Sequence, residues 1–166
     1  VSAIAGLLLR NAPATLAGAS VAALATALGS QYLGGLPPCE LCHWQRVPYV
    51  AVVALGGAAL LSARWARVLV GLIALVLLAG GALAFYHVGV EQGWFEPPAA
   101  CSADFGAAKT VEELRRMVEA APIARCTDVA WSLFGISLAG YNLIASLALA
   151  AFGFVAVARG GRMASA

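Results

Sequence analysis

Residues 68–90, VLVGLIALVLLAGGALAFYHVGV, hold no aspartate, glutamate, lysine or arginine. A helix that crosses a bilayer needs about 20 mostly apolar residues, and this run supplies them. It does not alternate apolar with polar positions, so it reads as a helix and not as a barrel strand. Lipid offers no water to backbone groups, and a helix satisfies its own. Residues 14–33, 47–63 and 131–158 read the same way. The second of these is short, and Arg46 and Arg64 flank it where long side chains snorkel to the interfaces. Small residues recur along the spans (Gly56, Gly57, Gly71, Gly80, Gly81, Gly135 and Gly140) and allow close helix approach.

The rest of the composition agrees. Of 166 residues, 62% are hydrophobic and only 11% are charged. Soluble domains average about 25% charged residues, and a soluble chain of this length could not bury so much apolar surface. The expected fold is an all-α membrane protein. It is a four-transmembrane-helix bundle forming one domain over residues 1–166, with loops at 34–46 and 91–130.

Charge sets the expected orientation. One side of the bundle collects Arg10, Arg64, Arg67, Arg159 and Arg162 and no acid. The other collects all eight acids together with Arg46, Lys109, Arg115, Arg116 and Arg125. Positive residues in short loops stay cytoplasmic, so both termini are expected inside and both long loops outside. Cys39, Cys42, Cys101 and Cys126 then all face a compartment that permits disulfides.

The first outer loop carries LPPCELCHWQRVP, residues 36–48. Pro37 and Pro38 keep the approach extended. Cys39 and Cys42 follow at a helix threshold, where the partial positive charge of a helix start favours a thiolate. Arg46 is four residues past Cys42 and shares its face if the segment is helical. Pro48 opposes helix at Val47, leaving two possible starts: Cys42 with a kink, or near Val47.

The second outer loop holds Cys101 and Cys126. Between them, residues 110–119 read as an amphipathic helix with a Thr110–Glu113 capping box, expected to lie in the membrane interface. Pro97, Pro98 and Pro122 bracket the two cysteines. Spacing alone leaves their role open. Two static bridges, one Cys₄ zinc site and two working redox pairs all fit four cysteines. His87, beside Tyr86, sits inside an apolar run near the outer end of the third span, which marks it as a functional candidate. Trp44, Trp94 and Trp131 at the outer boundary and Trp65 at the inner one form an aromatic belt.

Three segments together resemble one family. Residues 38–46, PCELCHWQR, resemble the first-loop motif of the DsbB family, the membrane thiol:quinone oxidoreductases of disulfide bond formation. Residues 84–94, AFYHVGVEQGW, resemble that family's exit from the third helix. Residues 126–142, CTDVAWSLFGISLAGYN, resemble its entry into the fourth. The resemblance implies a bacterial inner-membrane enzyme whose redox loops are periplasmic. A DsbA-like thiol oxidase would attack a Cys101–Cys126 disulfide, with Cys101 forming the mixed disulfide. Electrons would pass to Cys39–Cys42 and on to ubiquinone or menaquinone. Cys42 would face the quinone, Arg46 would hold it, and His87 would hydrogen-bond one of its oxygens.

The chemistry is consistent with such a relay. A DsbA-type disulfide lies near about −120 mV and thioredoxin near about −270 mV, a gap of roughly 7 kcal/mol for two electrons. Regenerating so strong an oxidant takes a stronger acceptor, and a quinone in the bilayer qualifies. The expected partners are the thiol oxidase, the quinone and lipid; no metal and no nucleic acid are expected. The competing readings are a structural or zinc-binding membrane protein and a vitamin-K-epoxide-reductase-like quinone reductase. In that last family the CxxC nearest the quinone follows the loop cysteines, whereas here it precedes them.

Overall fold

Helix α1, Ala12–Tyr32, starts with Pro13 in its first turn, where the missing N–H costs nothing. The computed structural model describes residues 9, 11–101, 110–120 and 124–163. Asp104, Lys109 and Pro122 of the second loop lie outside the described residues.

The chain next forms α2, Glu40–Trp44, and α3, Arg46–Leu61, joined through Gln45. The start near Val47 holds for α3, but a short helix that sequence did not separate precedes it. That short helix begins at Glu40 with Cys39 as its N-cap, and the break between the two falls at Gln45. Cys39 has extended backbone, and its sulfur accepts the Cys42 N–H at 3.3 Å. Pro48 explains the interruption. It has no N–H to offer the carbonyl four residues earlier, so the ladder breaks ahead of it.

Helix α4, Ala66–Glu91, closes in a Schellman arrangement. Gly93 takes φ +72, its N–H reaches the Val90 carbonyl, and the Trp94 N–H reaches the Gly89 carbonyl at 2.7 Å. This turns the chain back on itself. Phe95 stacks on Tyr86 with ring centroids 5.6 Å apart, and the Tyr86 hydroxyl donates to the Glu96 carbonyl. A short 3₁₀ turn, Ala99–Cys101, follows. Helix α5, Val111–Ala120, lies where the second-loop helix was expected, and the Thr110 hydroxyl caps the Glu113 N–H.

The fourth span differs from expectation. Helix α6, Leu138–Met163, starts seven positions later than residue 131. Strands β1, Ser132–Leu133, and β2, Ile136–Ser137, pair antiparallel ahead of it. Phe134 and Gly135 both have positive φ, as a two-residue hairpin turn requires. Apolar composition is common to strand and helix here, so the hairpin was hidden inside the apolar run.

Among the described residues, four helical stretches are long and apolar enough to cross a membrane: Ala12–Tyr32, Glu40–Leu61, Ala66–Glu91 and Leu138–Arg159. They form a bundle in which α4 packs most extensively on α6, α1 on α3, and α3 on α4. Leu16, Val52, Ile73 and Leu77 are fully buried at its centre. Close approach rests on small residues, because lipid provides no hydrophobic drive between helices. A Cβ on Gly153 would stand 2.9 Å from that of Ala74, and one on Gly56 would stand 2.8 Å from that of Ala17. Leu72, Leu75, Phe85, Ile144 and Phe154 point outward, an apolar exterior suited to lipid.

Candidate redox site

The two cysteine pairs come from two loops well separated in the sequence and meet at one end of the bundle. Cys39, Cys101 and Cys126 are buried in one cluster with Leu41 and Val90, and Cys42 packs against it. Cys101 and Cys126 are joined in a disulfide, while Cys39 and Cys42 are free thiols. With Cys101 and Cys126 bonded to each other, the Cys₄ zinc arrangement is not assembled. A different set of donors does come together: Cys39, Cys42 and His87 have ligand atoms within 4.8 Å of one another.

Cys39 donates its S–H to Cys42 over 2.9 Å. This bond, and then burial, push the Cys39 thiol well above the ordinary thiol range. Cys42 is the accepting sulfur of the pair. The N-cap geometry produces this arrangement. Cys39 is folded over the first turn of α2, which brings its sulfur to the Cys42 N–H as well as to the Cys42 sulfur.

His87 arrives from α4. It is 3% exposed, and its Nε2 lies 3.6 Å from the Cys39 sulfur. Arg46 opens α3 and donates to the Gln31 side chain of α1 at 2.8 Å. Cys42, Arg46 and His87 line a common cavity of about 270 Å³, together with apolar residues such as Leu24 and Ala27 of α1 and Leu138 and Ala145 of α6 and polar ones such as Gln45 and Asn142. That is near the lower end of the range for small-molecule sites, about 300 Å³ upward. Mostly apolar walls with a few polar groups suit a flat ring bearing two carbonyl oxygens and an apolar tail. The residues present thus fit a quinone.

All six residues singled out from sequence are brought to one end: Cys39, Cys42, Cys101, Cys126, Arg46 and His87. Sequence reasoning missed the polar groups behind them. Gln45, Tyr49 and Ser146 are buried, and they join Asn142 in hydrogen bonds that cross α3 and α6. Glu91 accepts from Ser137, with His87 Nε2 at 4.0 Å from its other oxygen. The signal was there. Asn142 and Ser146 are polar residues inside an apolar span, and such residues cost free energy unless partnered.

Comparison with known proteins places these residues in context. The chain matches the family described as Disulfide bond formation protein DsbB over residues 9–156. A protein named Disulfide bond formation protein B from Acidovorax sp. is 33% identical, the match covering 92% of this chain and 90% of that one. Its namesake from Polaromonas sp. is 30% identical over 85% and 86% of the two chains. An uncharacterized protein, RP370, from Rickettsia prowazekii is 31% identical over 80% and 78%. No solved structure matches.

Proposed function

Starting from the fact that the chain belongs to the DsbB family and is a multi-pass, disulfide-bond-forming membrane protein, we propose that it is a thiol:quinone oxidoreductase. Its substrate is a DsbA-like dithiol, whose oxidising power it restores. The observation that carries this reading is the meeting of both cysteine pairs beside a cavity holding Arg46 and His87.

The partner's thiolate attacks the Cys101–Cys126 disulfide at Cys101 and forms a mixed disulfide. The partner's second thiol resolves it, leaving an oxidised partner and a reduced loop pair. The reduced loop pair then exchanges with the Cys39–Cys42 disulfide. Two electrons and two protons come to rest on Cys39 and Cys42, and the loop disulfide is restored. A bound quinone supplies the final two-electron, two-proton acceptor. Cys42 is the sulfur on the cavity side. Arg46, one turn along, stabilises negative charge developing there and holds the acceptor's oxygen. His87 lines the same space, beside the Cys39 sulfur. Ubiquinone and menaquinone both satisfy this chemistry. In this reading the protein sits in the bacterial inner membrane; the charge distribution supports cytoplasmic termini and periplasmic redox loops.

Purified protein mixed with a reduced DsbA-like protein and a short-chain quinone tests the reading. One quinone is expected to be reduced for each partner disulfide formed. Partner oxidation without quinone consumption would contradict the acceptor assignment. No oxidation at all, together with about one zinc per purified chain, would establish the static metal-site reading instead.

A further inference from the structure

Behind the sulfurs runs a chain of polar side chains with one consistent direction. Tyr49 Oη lies 2.5 Å from Asn142 Oδ1, and Asn142 Nδ2 lies 2.5 Å from Gln45 Oε1. Gln45 Nε2 lies 2.6 Å from His87 Nδ1, and His87 Nε2 lies 3.6 Å from the Cys39 sulfur. Ser146 stands behind Tyr49 at 2.9 Å. The chain links α3, α4 and α6 through the core of the bundle.

An amide has one donating and one accepting end, so each amide transmits the orientation of the one before it. The sulfur end of the chain chooses that orientation, and the far end, a hydroxyl that can donate or accept, accommodates it. At the sulfur end, Cys39 spends its proton on Cys42 and offers His87 only lone pairs. The other group facing Nε2 is the Glu91 carboxylate, also an acceptor. Nε2 must therefore carry a proton. The rest of the chain runs the same way: the Tyr49 hydroxyl donates to Asn142 Oδ1, the Asn142 nitrogen donates to Gln45, and the Gln45 nitrogen faces His87. Nδ1 must therefore accept. An imidazolium would require the Gln45 oxygen against Nδ1 and would reverse every link.

We propose that Gln45 and Asn142 are positioning residues that hold His87 as the neutral tautomer protonated at Nε2, with that N–H directed at the Cys39 sulfur. The device works as a second layer of hydrogen bonds works on a reactive histidine, fixing which ring nitrogen does what. Its consequence is a fixed donor at Cys39, which steadies negative charge on that sulfur during thiol exchange. Cys39 and Glu91 are the titratable groups facing Nε2. Cys42, Arg46 and Tyr49 share the cavity with His87. The tautomer is independent of the electron route; only its effect on turnover rests on the function proposed above.

The chain has two histidines, His43 and His87, so ¹⁵N resonances of the ring nitrogens are readily assigned with a His43→Asn control. The full-length reduced protein in detergent is expected to show His87 protonated at Nε2 and bare at Nδ1. Asn142→Asp cannot donate to Gln45. The Gln45 amide is then expected to turn over, moving the His87 proton to Nδ1 although the altered residue never touches the ring. Gln45→Glu is expected to do the same directly. Either change is expected to slow quinone reduction about 10-fold, the loss of one aligned hydrogen bond. A wild-type ring protonated at Nδ1, or at both nitrogens, overturns the proposal even if no variant folds. So does a wild-type tautomer retained in both variants. A wild-type ring with the predicted tautomer but no quinone reduction would leave the positioning intact and refute the electron route.

Discussion

Cys42→Ser is expected to lower quinone reduction by at least about 10³-fold while leaving one round of partner oxidation untouched. The reason lies in the order of the sulfurs. The loop disulfide Cys101–Cys126 is complete without Cys42 and accepts one pair of electrons from a reduced DsbA-like protein. Beyond that, the electrons need the accepting sulfur on the cavity side, and serine offers neither a comparable nucleophile nor a redox change. Cys101→Ser is expected to show the mirror image. Partner oxidation is lost, while a small dithiol that reduces Cys39–Cys42 directly still drives quinone reduction. Single-turnover partner oxidation and steady-state quinone absorbance, measured on both variants, separate the two halves. Loss of both activities in both variants would indicate that the two pairs do not act in series.

The second large effect concerns Arg46. Arg46→Leu keeps the aliphatic bulk on α3 but removes the charge and the bond to Gln31. A hydrogen bond to a charged group contributes about 1.5–3 kcal/mol, so the KM for quinone is expected to rise about 10- to 100-fold. Arg46→Lys is expected to recover part of this, since an ammonium restores charge but not the forked geometry. Partner oxidation at Cys101–Cys126 in a single turnover is expected to be unaffected. An unchanged KM in Arg46→Leu would remove Arg46 from the acceptor site.

The bundle was legible because lipid imposes a simple rule on the chain. Runs without charge and long enough to cross had to be helices, and four of them were found. Residues 131–137 were misread for the same reason. An apolar run identifies a segment that avoids water, and it does not separate a helix from the Phe134–Gly135 hairpin. The break at Gln45 was half-legible through Pro48, but the N-cap role of Cys39 was not. It depends on the sulfur folding back to the Cys42 N–H, which no spacing rule expresses.

The chemistry-bearing residues stood out because each is costly or reactive where it lies. Four cysteines, an arginine at a helix threshold and a histidine in an apolar span all demand a reason. The supporting layer was less visible. Gln45, Asn142, Tyr49 and Ser146 are ordinary residues whose meaning comes from meeting across three helices, from positions up to 97 residues apart. Glu91 was counted only as a loop charge, yet it is buried beside His87 at the end of α4.

The relay needs both cysteine-bearing loops on the oxidising side of the bilayer. Labelling single cysteines with a membrane-impermeant maleimide, in a chain whose own cysteines are serine, tests this most directly. The positions are Glu40→Cys, Thr127→Cys and Ala63→Cys, the first two beside the redox pairs and the third in the opposite turn. In intact spheroplasts, Glu40→Cys and Thr127→Cys are expected to label at once, and Ala63→Cys only after the membrane is opened. Protection of either Glu40→Cys or Thr127→Cys until the membrane is opened would contradict the account.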